Sequence, residues 1–318
     1  MNAFLYLSVV LIWGSTWLAI AMQQGQVASL ISIFYRFAVA GAIMIVFMLA
    51  TRRLRRFSLK DHLFCLLQGC LIFGFNFYCV YQAAAYITSG LESVIFSMAV
   101  MFNAVNSVIF FRQKLSANIL PACLLGLIGI IALFWQDLFA NEVAFDSLKG
   151  IGLCVIGTFS FSLGNMVSLR QQRHGLDILS SNTYAMTYGA IVVAIIASVQ
   201  GLSFLPDFSL RYIGSLLYLS VFGSVIAFAA YFSLIGRIGA SQAAYSTLLS
   251  PLVALGLSTV YEGYQWQINA VFGLALILLG NLVMFAKFEF SVKKLLNKLF
   301  PGQHKEKTAA KSPVLTDE

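Results

Sequence analysis

Ten stretches of about 20 mostly apolar residues take up most of this chain, and that is the length a helix needs to cross the hydrocarbon core of a bilayer. They run approximately over residues 3–22, 29–50, 62–82, 89–111, 118–136, 148–168, 179–200, 211–234, 241–261 and 267–286. Only 10% of the 318 residues are charged and 60% are hydrophobic, whereas ordinary globular chains carry about 25% charged residues. A water-facing fold cannot hide so much apolar surface, and a bilayer solvates it directly. The expected class is therefore an all-α polytopic membrane protein with ten transmembrane helices. In the first stretch Ala19-Ile20-Ala21 imitates a signal-peptide cleavage site, but no Lys or Arg precedes it, so the stretch is read as a span.

The formal net charge of +8 has the same origin. With the N-terminus in the cytoplasm, 17 of the 20 basic residues fall on that side: Arg52, Arg53, Arg55, Arg56, Lys60, Arg112, Lys114, Arg170, Arg173, Arg237 and the seven lysines from Lys287 to Lys311. Only Lys149 and Arg211 face outward, and the external loop 137–147 carries Asp137, Glu142 and Asp146. This bias is what orients spans in a membrane, and it leaves no basic face or recognition motif for nucleic acid. The five cysteines, all inside apolar runs, and three scattered histidines (His62, His174, His304) form no disulfide framework, no metal-ligand cluster and no cofactor site. Beyond Ala286 a basic amphipathic segment and a polar tail, together 287–318, are expected to lie on anionic lipid and to be disordered, respectively.

Ten spans divide into five and five, and an odd number per half inserts the second half upside down, the geometry of inverted-repeat carriers. The expected domains are repeat one at 1–136 and repeat two at 148–286. Sliding residues 87–136 by 151 positions yields seven identities in fifty, Gly129 with Gly280 among them. So biased a composition gives nearly as many by chance, and the repeat rests mainly on span counting.

Polar groups inside spans must face protein or a wet cavity. Glu92, Asn103 and Asn106 recur on one face of the fourth span, Thr158, Ser162 and Asn165 on one face of the sixth, and Gln242, Ser246 and Ser250 at four-residue spacing on the ninth. Asn76 stands in the third. Each Ser or Thr taken singly is more often helix glue than ligand, but stripes in several helices at once favour a shared cavity. Trp13, Trp17 and Tyr231 join it as aromatic wall, although interfacial anchoring is their commoner role. The expected substrate-binding set is Trp13, Trp17, Asn76, Glu92, Asn103, Thr158, Ser162, Asn165, Tyr231, Gln242 and Ser246. Pro251 is either a hinge or a static kink. Glu92 is costly within a span and is either a functional carboxylate, half of an ion pair with Arg36, or a group that reaches the outer interface.

Leu11-Ile12-Trp13-Gly14-Ser15-Thr16-Trp17 resembles the first-helix motif of the EamA family in the drug/metabolite transporter superfamily. Tyr35-Arg36-Phe37-Ala38 is similar to its second helix, Thr88-Ser89-Gly90-Leu91-Glu92-Ser93-Val94-Ile95-Phe96 to the opening of its fourth, and Gly239-Ala240-Ser241-Gln242-Ala243-Ala244 to that of its ninth. The chain departs from the family at Val100, where a proline is common, and at Gln113, where an acid is common, while Pro251 and Glu262 keep the pattern. The resemblance implies two inverted repeats around a central cavity and ATP-independent export or exchange of small metabolites such as amino acids.

The expected function is a secondary transporter in a bacterial inner membrane, acting by alternating access on a small-molecule solute, with membrane lipids around it and as monomer or homodimer. A lipid or lipid-precursor flippase is the alternative. An integral-membrane enzyme ranks lower, because no intramembrane His cluster, HExxH, GxSxG or Walker motif is present. From the charge bias, a reporter fused at Glu318 should be active in its cytoplasmic form; activity only of a periplasmic reporter would reverse the topology.

Overall fold

The structure is a computed structural model that describes residues 2–25, 27–112, 118–133, 135, 144–238 and 240–285. Gln113, residues 136–143 of the external loop, Gly239 and the segment 286–318 lie outside the described residues.

Every described element is helical. Helices α1 (Asn2–Ala21) and α2 (Ser29–Ala50) precede a rod built from α3 (Leu59–Gln68), a π-helical segment (Gly69–Asn76) and α4 (Phe77–Ala83). Then come α5 (Ser89–Phe96), α6 (Ala99–Phe111) and α7 (Ile119–Leu133). The second half opens with α8 (Ala144–Arg173) and α9 (Ile178–Val199). Its own three-part rod follows, made of α10 (Leu210–Tyr218), a π-helical segment (Leu219–Ile226) and α11 (Ala227–Ile238), and α12 (Ala240–Tyr261) and α13 (Ile268–Phe285) complete the chain. Among the described residues, 7 helical rods are long and apolar enough to cross a membrane, and the apolar helices Leu120–Leu133, Leu249–Tyr261 and Ile268–Val283 are shorter. The chain is thus a multi-pass helical protein; taken whole, α12 has 22 residues and α13 has 18, and the 15 described residues of α7 make it the shortest of the three.

Where loops give way to helix, side chains replace the missing backbone partners. Ser58, Asp177 and Ser209 accept from the backbone N–H three residues on, at 3.3, 2.8 and 3.2 Å, which caps α3, α9 and α10. Gly201, with φ of 69°, ends α9 in the left-handed region that glycine tolerates best.

Burial is inverted relative to a water-soluble fold. Val46, Phe47, Leu49, Ile109, Phe110, Leu124, Ile191, Ile195 and Leu282 are exposed, whereas Arg36, Asn76, Glu92, Asn106, Ser162 and Asn281 are buried. Hydrocarbon outside and polar pairing inside is the arrangement a bilayer imposes.

Without a hydrophobic drive between helices in lipid, close packing needs small residues. A Cβ added at Gly129 would lie 2.8 Å from the Gly273 carbonyl oxygen, and one added at Gly280 would lie 2.8 Å from the Ala122 carbonyl oxygen. These two contacts join α7 to α13, and a shift of 151 residues carries Gly129 onto Gly280 and Ala122 onto Gly273. The two π-helical segments, each 8 residues long, are likewise related by a shift of 150. On the other side of the bundle, α2 meets α9 through Gly41 against Thr187, and Gly69 meets Ala185 and Gly189.

The glycine contacts give a direct test. A Cβ at Gly273 would sit 2.5 Å from the Leu133 backbone nitrogen, whereas one at Gly152 meets nothing within 4 Å. Gly273→Ala should therefore destabilise by about 1–3 kcal/mol in thermal unfolding, while Gly152→Ala should be neutral or stabilising by up to about 1 kcal/mol. Equal melting temperatures for the two variants would contradict the packing described.

Candidate functional site

A cavity opens at the centre of the bundle, with about 530 Å³ of atom-free space counting its open mouth. Its wall comes from both halves of the chain: Trp13, Thr16, Trp17 and Ile20 on α1, Arg36 on α2, Asn76 with Phe77 and Val80 on the first three-part rod, and Phe96 on α5. Phe161 on α8, Phe228 on α11, and Thr247 and Ser250 on α12 close the other side.

The aromatic wall is self-braced. Trp13 packs on Phe228 edge to face at 5.3 Å and on Tyr231 at 4.8 Å. Trp17 meets Phe96 at 5.2 Å, and Phe96 meets Phe161 at 4.9 Å. Edge-to-face and tilted pairs at these spacings favour one arrangement over a loose apolar pool.

The polar groups of the wall are few. Arg36 is 2% exposed. Its Nε donates to Ser224 Oγ at 3.2 Å, its guanidinium lies 4.3 Å from the Phe77 ring centroid, and the Tyr81 hydroxyl is within its reach. Its Nη1 has no hydrogen-bond partner, and neither does Asn76 Oδ1, whose amide Nδ2 donates to the Ile72 carbonyl at 3.3 Å. Asn76 closes the π-helical segment, whose wide turns interrupt the regular ladder where the cavity forms.

Of the residues expected to bind solute, Trp13, Trp17 and Asn76 line this cavity. Tyr231 stands behind Trp13 and braces it. The polar stripes of the fourth and sixth spans do not reach the cavity and face each other instead. Asn106 Nδ2 donates to Ser162 Oγ at 2.8 Å, and Asn165 Nδ2 donates to Asn103 Oδ1 at 3.3 Å, joining α6 to α8. Thr158 bonds back to the Cys154 carbonyl at 2.6 Å. Ser246 is buried but does not line the cavity; its neighbours Thr247 and Ser250 do. The Gln242 side chain lies outside the described residues. Pro251 sits within α12 directly after Ser250, next to the wall.

Glu92 is fully buried in the first turn of α5, which excludes a reach to the interface, and it does not line the cavity. Neither of its carboxylate oxygens has a hydrogen-bond partner, so the ion pair with Arg36, one of the three alternatives for Glu92, is not formed. The physical reason is their placement. α2 presents Arg36 to the second π-helical segment through Ser224, whereas α5 packs against α12, with Gly90 against Leu255 and Ser258. One turn before Glu92, Ser89 donates from Oγ at 2.5 Å and from its backbone nitrogen at 3.3 Å to the Glu262 carboxylate. Glu262 follows α12 and so ties its end to the start of α5.

A second crevice, between the first π-helical segment and α9, is lined by residues such as Phe75, Tyr78, Val192, Ile196 and Gln200, and it shares none of its described lining with the central cavity.

Polar periodicity carries no signal for Phe77, Phe96, Phe161 and Phe228, which make up much of the wall. With 28 phenylalanines in the chain, none of them stands out by pattern. Thr16, Arg36 and Phe96 fall within the stretches that resemble the family's first, second and fourth helices.

The EamA-like transporter family matches residues 1–135 and 148–286. The uncharacterized transporter YoaV of Bacillus subtilis is 23% identical over 290 residues, covering 91% of this chain and 97% of its own. An uncharacterized transporter of Archaeoglobus fulgidus is 26% identical over 287 residues, at 87% and 96% coverage. Protein PagO of Salmonella typhimurium is 21% identical over 286 residues, at 87% and 90% coverage. A solved crystal structure superposes with a TM-score of 0.65 at 16% identity, covering 89% of this chain and 96% of that one, a likeness of fold.

The stripe pairing has a measurable consequence. A double-mutant cycle on Asn106→Ala and Ser162→Ala should give a coupling of about 0.6–1.7 kcal/mol in unfolding, the size of an interhelical hydrogen bond in a membrane protein. Additive effects would mean that the two side chains face something other than each other.

Proposed function

The chain belongs to the EamA-like transporter family, and from that premise we propose that it is a secondary exporter of small amphipathic metabolites, working by alternating access to the central cavity. The observation that carries this is the cavity's origin. Its wall is assembled from α1, α2, the first π-helical segment, α4 and α5 on one side and α8, α11 and α12 on the other, so relative motion of the halves reshapes it. The proposed architecture is ten spans in two inverted five-helix repeats, at 1–136 and 148–286. The glycine contacts and π-helical segments that recur at shifts of 151 and 150 support it. The proposed setting is a bacterial inner membrane with both termini in the cytoplasm, which puts the Ser89–Glu262 contact at the outer end of the cavity, where it serves as a latch. Pro251, within a wall helix, is the proposed hinge.

Glu92 is the proposed proton-carrying group. A carboxylate without a partner inside a membrane costs about 2.5–3.5 kcal/mol even on the mild insertion scale, so the buried position suits the neutral acid. The titratable groups that act on it electrostatically are Glu262, beyond α12, and Cys154 on α8. Ionisation of Glu92 would put a charge one turn from the latch.

A lipid flippase needs a groove joining the central cavity to lipid, and the lateral crevice shares no described lining with it. Reconstituted in liposomes without ATP, the protein should give saturable, counter-stimulated flux of one of a panel of amino acids, nucleosides, vitamins and cationic drugs. Lipid flipping without solute flux would replace this function with the alternative. Glu92→Gln should leave the unfolding free energy within about 0.5 kcal/mol of the native value, as for a change that breaks no interaction, and should abolish the pH dependence of flux. Unchanged pH-dependent flux would remove Glu92 from the mechanism.

A further inference from the structure

Arg36 poses a problem the rest of the fold leaves unsolved. A guanidinium has five donors and no acceptor and stays charged at any physiological pH. Within a bilayer such a group ordinarily pairs with an acid or with backbone carbonyls. Here it is 2% exposed, and the only acid expected to neutralise it, Glu92, is turned to another part of the bundle. What it has are neutral partners: the Ser224 hydroxyl at 3.2 Å, the Tyr81 hydroxyl and the face of Phe77 at 4.3 Å. Nη1 is left without a partner, and the residue belongs to the cavity wall.

We propose that Arg36 binds the anionic head of the solute, so that the missing counter-charge is supplied by the cargo and the cavity selects small carboxylates with an apolar or aromatic body. This rests on the transport function above and adds the charge of the solute to it. The remainder of the wall fits such a molecule. Trp13, Trp17, Phe96 and Phe161 offer flat apolar surface to the body, and no described acidic side chain lines the cavity. A cationic solute would bring a second positive charge beside Arg36 in a low-dielectric space with nothing to offset either, which is a strong repulsion. A neutral solute offers at most an uncharged acceptor and brings no counter-charge. An oxyanion turns the idle Nη1 into a charge-assisted hydrogen bond, the strongest kind available to a side chain. The guanidinium is also held in place beforehand by Ser224 and Phe77, so little ordering remains to be done on binding.

The test uses the full chain purified in detergent, with chloride held constant, and three probes of one shape: 3-phenylpropionate, 3-phenylpropanol and 3-phenylpropylamine. At neutral pH the acid is ionised and the amine protonated. Equilibrium binding is followed by tryptophan emission, since Trp13 and Trp17 line the cavity. The carboxylate should bind about tenfold more tightly than the alcohol, the gain expected from one charge-assisted hydrogen bond, and the amine most weakly. Arg36→Gln should remove the difference in affinity between the carboxylate and the alcohol, and Arg36→Lys should retain a reduced preference. The proposal is overturned if the alcohol or the amine equals the carboxylate on the native protein, if none of the three binds, or if Arg36→Gln keeps the preference. Should Arg36→Gln fail to fold, the ranking on the native protein and on Arg36→Lys decides. Binding in detergent requires no movement across a membrane. A carboxylate preference without liposome flux would therefore defeat the transport function alone, and solute flux without the preference would defeat this proposal alone.

Discussion

Hydrocarbon offers no hydrogen bonds, and from that one constraint follows most of what this chain does with its polar residues. Each polar side chain carried into a span must be met by another part of the protein or face a wet space. Asn106 is met by Ser162, Asn165 by Asn103, Ser32 by Tyr212 and Tyr81 by Gln23. These pairs tie helices distant in sequence, and they set which faces turn inward. Pairing is incomplete at several buried sites, the Glu92 carboxylate among them, and two of these unpartnered atoms, Arg36 Nη1 and Asn76 Oδ1, belong to residues that line the central cavity.

The positions of the membrane helices could be read from the sequence because lipid solvation imposes long uninterrupted apolar runs, and their starts and stops agree closely with α1, α2 and α9. The cavity was legible only in part. Periodicity shows which residues of one helix share a face, but it does not say what the face meets. The stripes through Asn103 and Ser162 have the spacing of a cavity lining, yet a polar group in lipid is equally well served by a polar group on the next helix, and that is what they found. Residue spacing along one helix carries no information on rotation relative to the next helix, and rotation points Glu92 and Arg36 at different neighbours. The π-helical segments at Gly69–Asn76 and Leu219–Ile226 share almost no residues at matching positions, so nothing in the sequence marked them.

The two charges in the membrane have opposite needs. Arg36 cannot lose its proton and has only neutral groups to hold it, whereas a carboxyl such as Glu92 can meet burial by becoming neutral. Under the proposed function one is neutralised by the solute and the other by a proton. Both sit close to parts suited to move: Arg36 beside the second π-helical segment, and Glu92 one turn from the contact between Ser89 and Glu262. Neutralising either charge then favours arrangements of the two halves in which that site stays closed, and this is a physical basis for linking solute and proton to one conformational change.

Alternating access as proposed requires the start of α5 and the end of α12, joined by the contact between Ser89 and Glu262, to part during each cycle. A Cβ added at Gly90 would lie 3.0 Å from Ser258 Cβ and 2.8 Å from Leu255 Cδ2, so a disulfide there, whose Cβ atoms are about 3.5–4.5 Å apart, forms once the two helices spread slightly. In a protein whose five native cysteines have been replaced, Gly90→Cys with Ser258→Cys places such a lock across this junction. Flux of the transported solute into liposomes should stop on oxidation and return on reduction. Full flux in the oxidised, cross-linked protein would contradict the account.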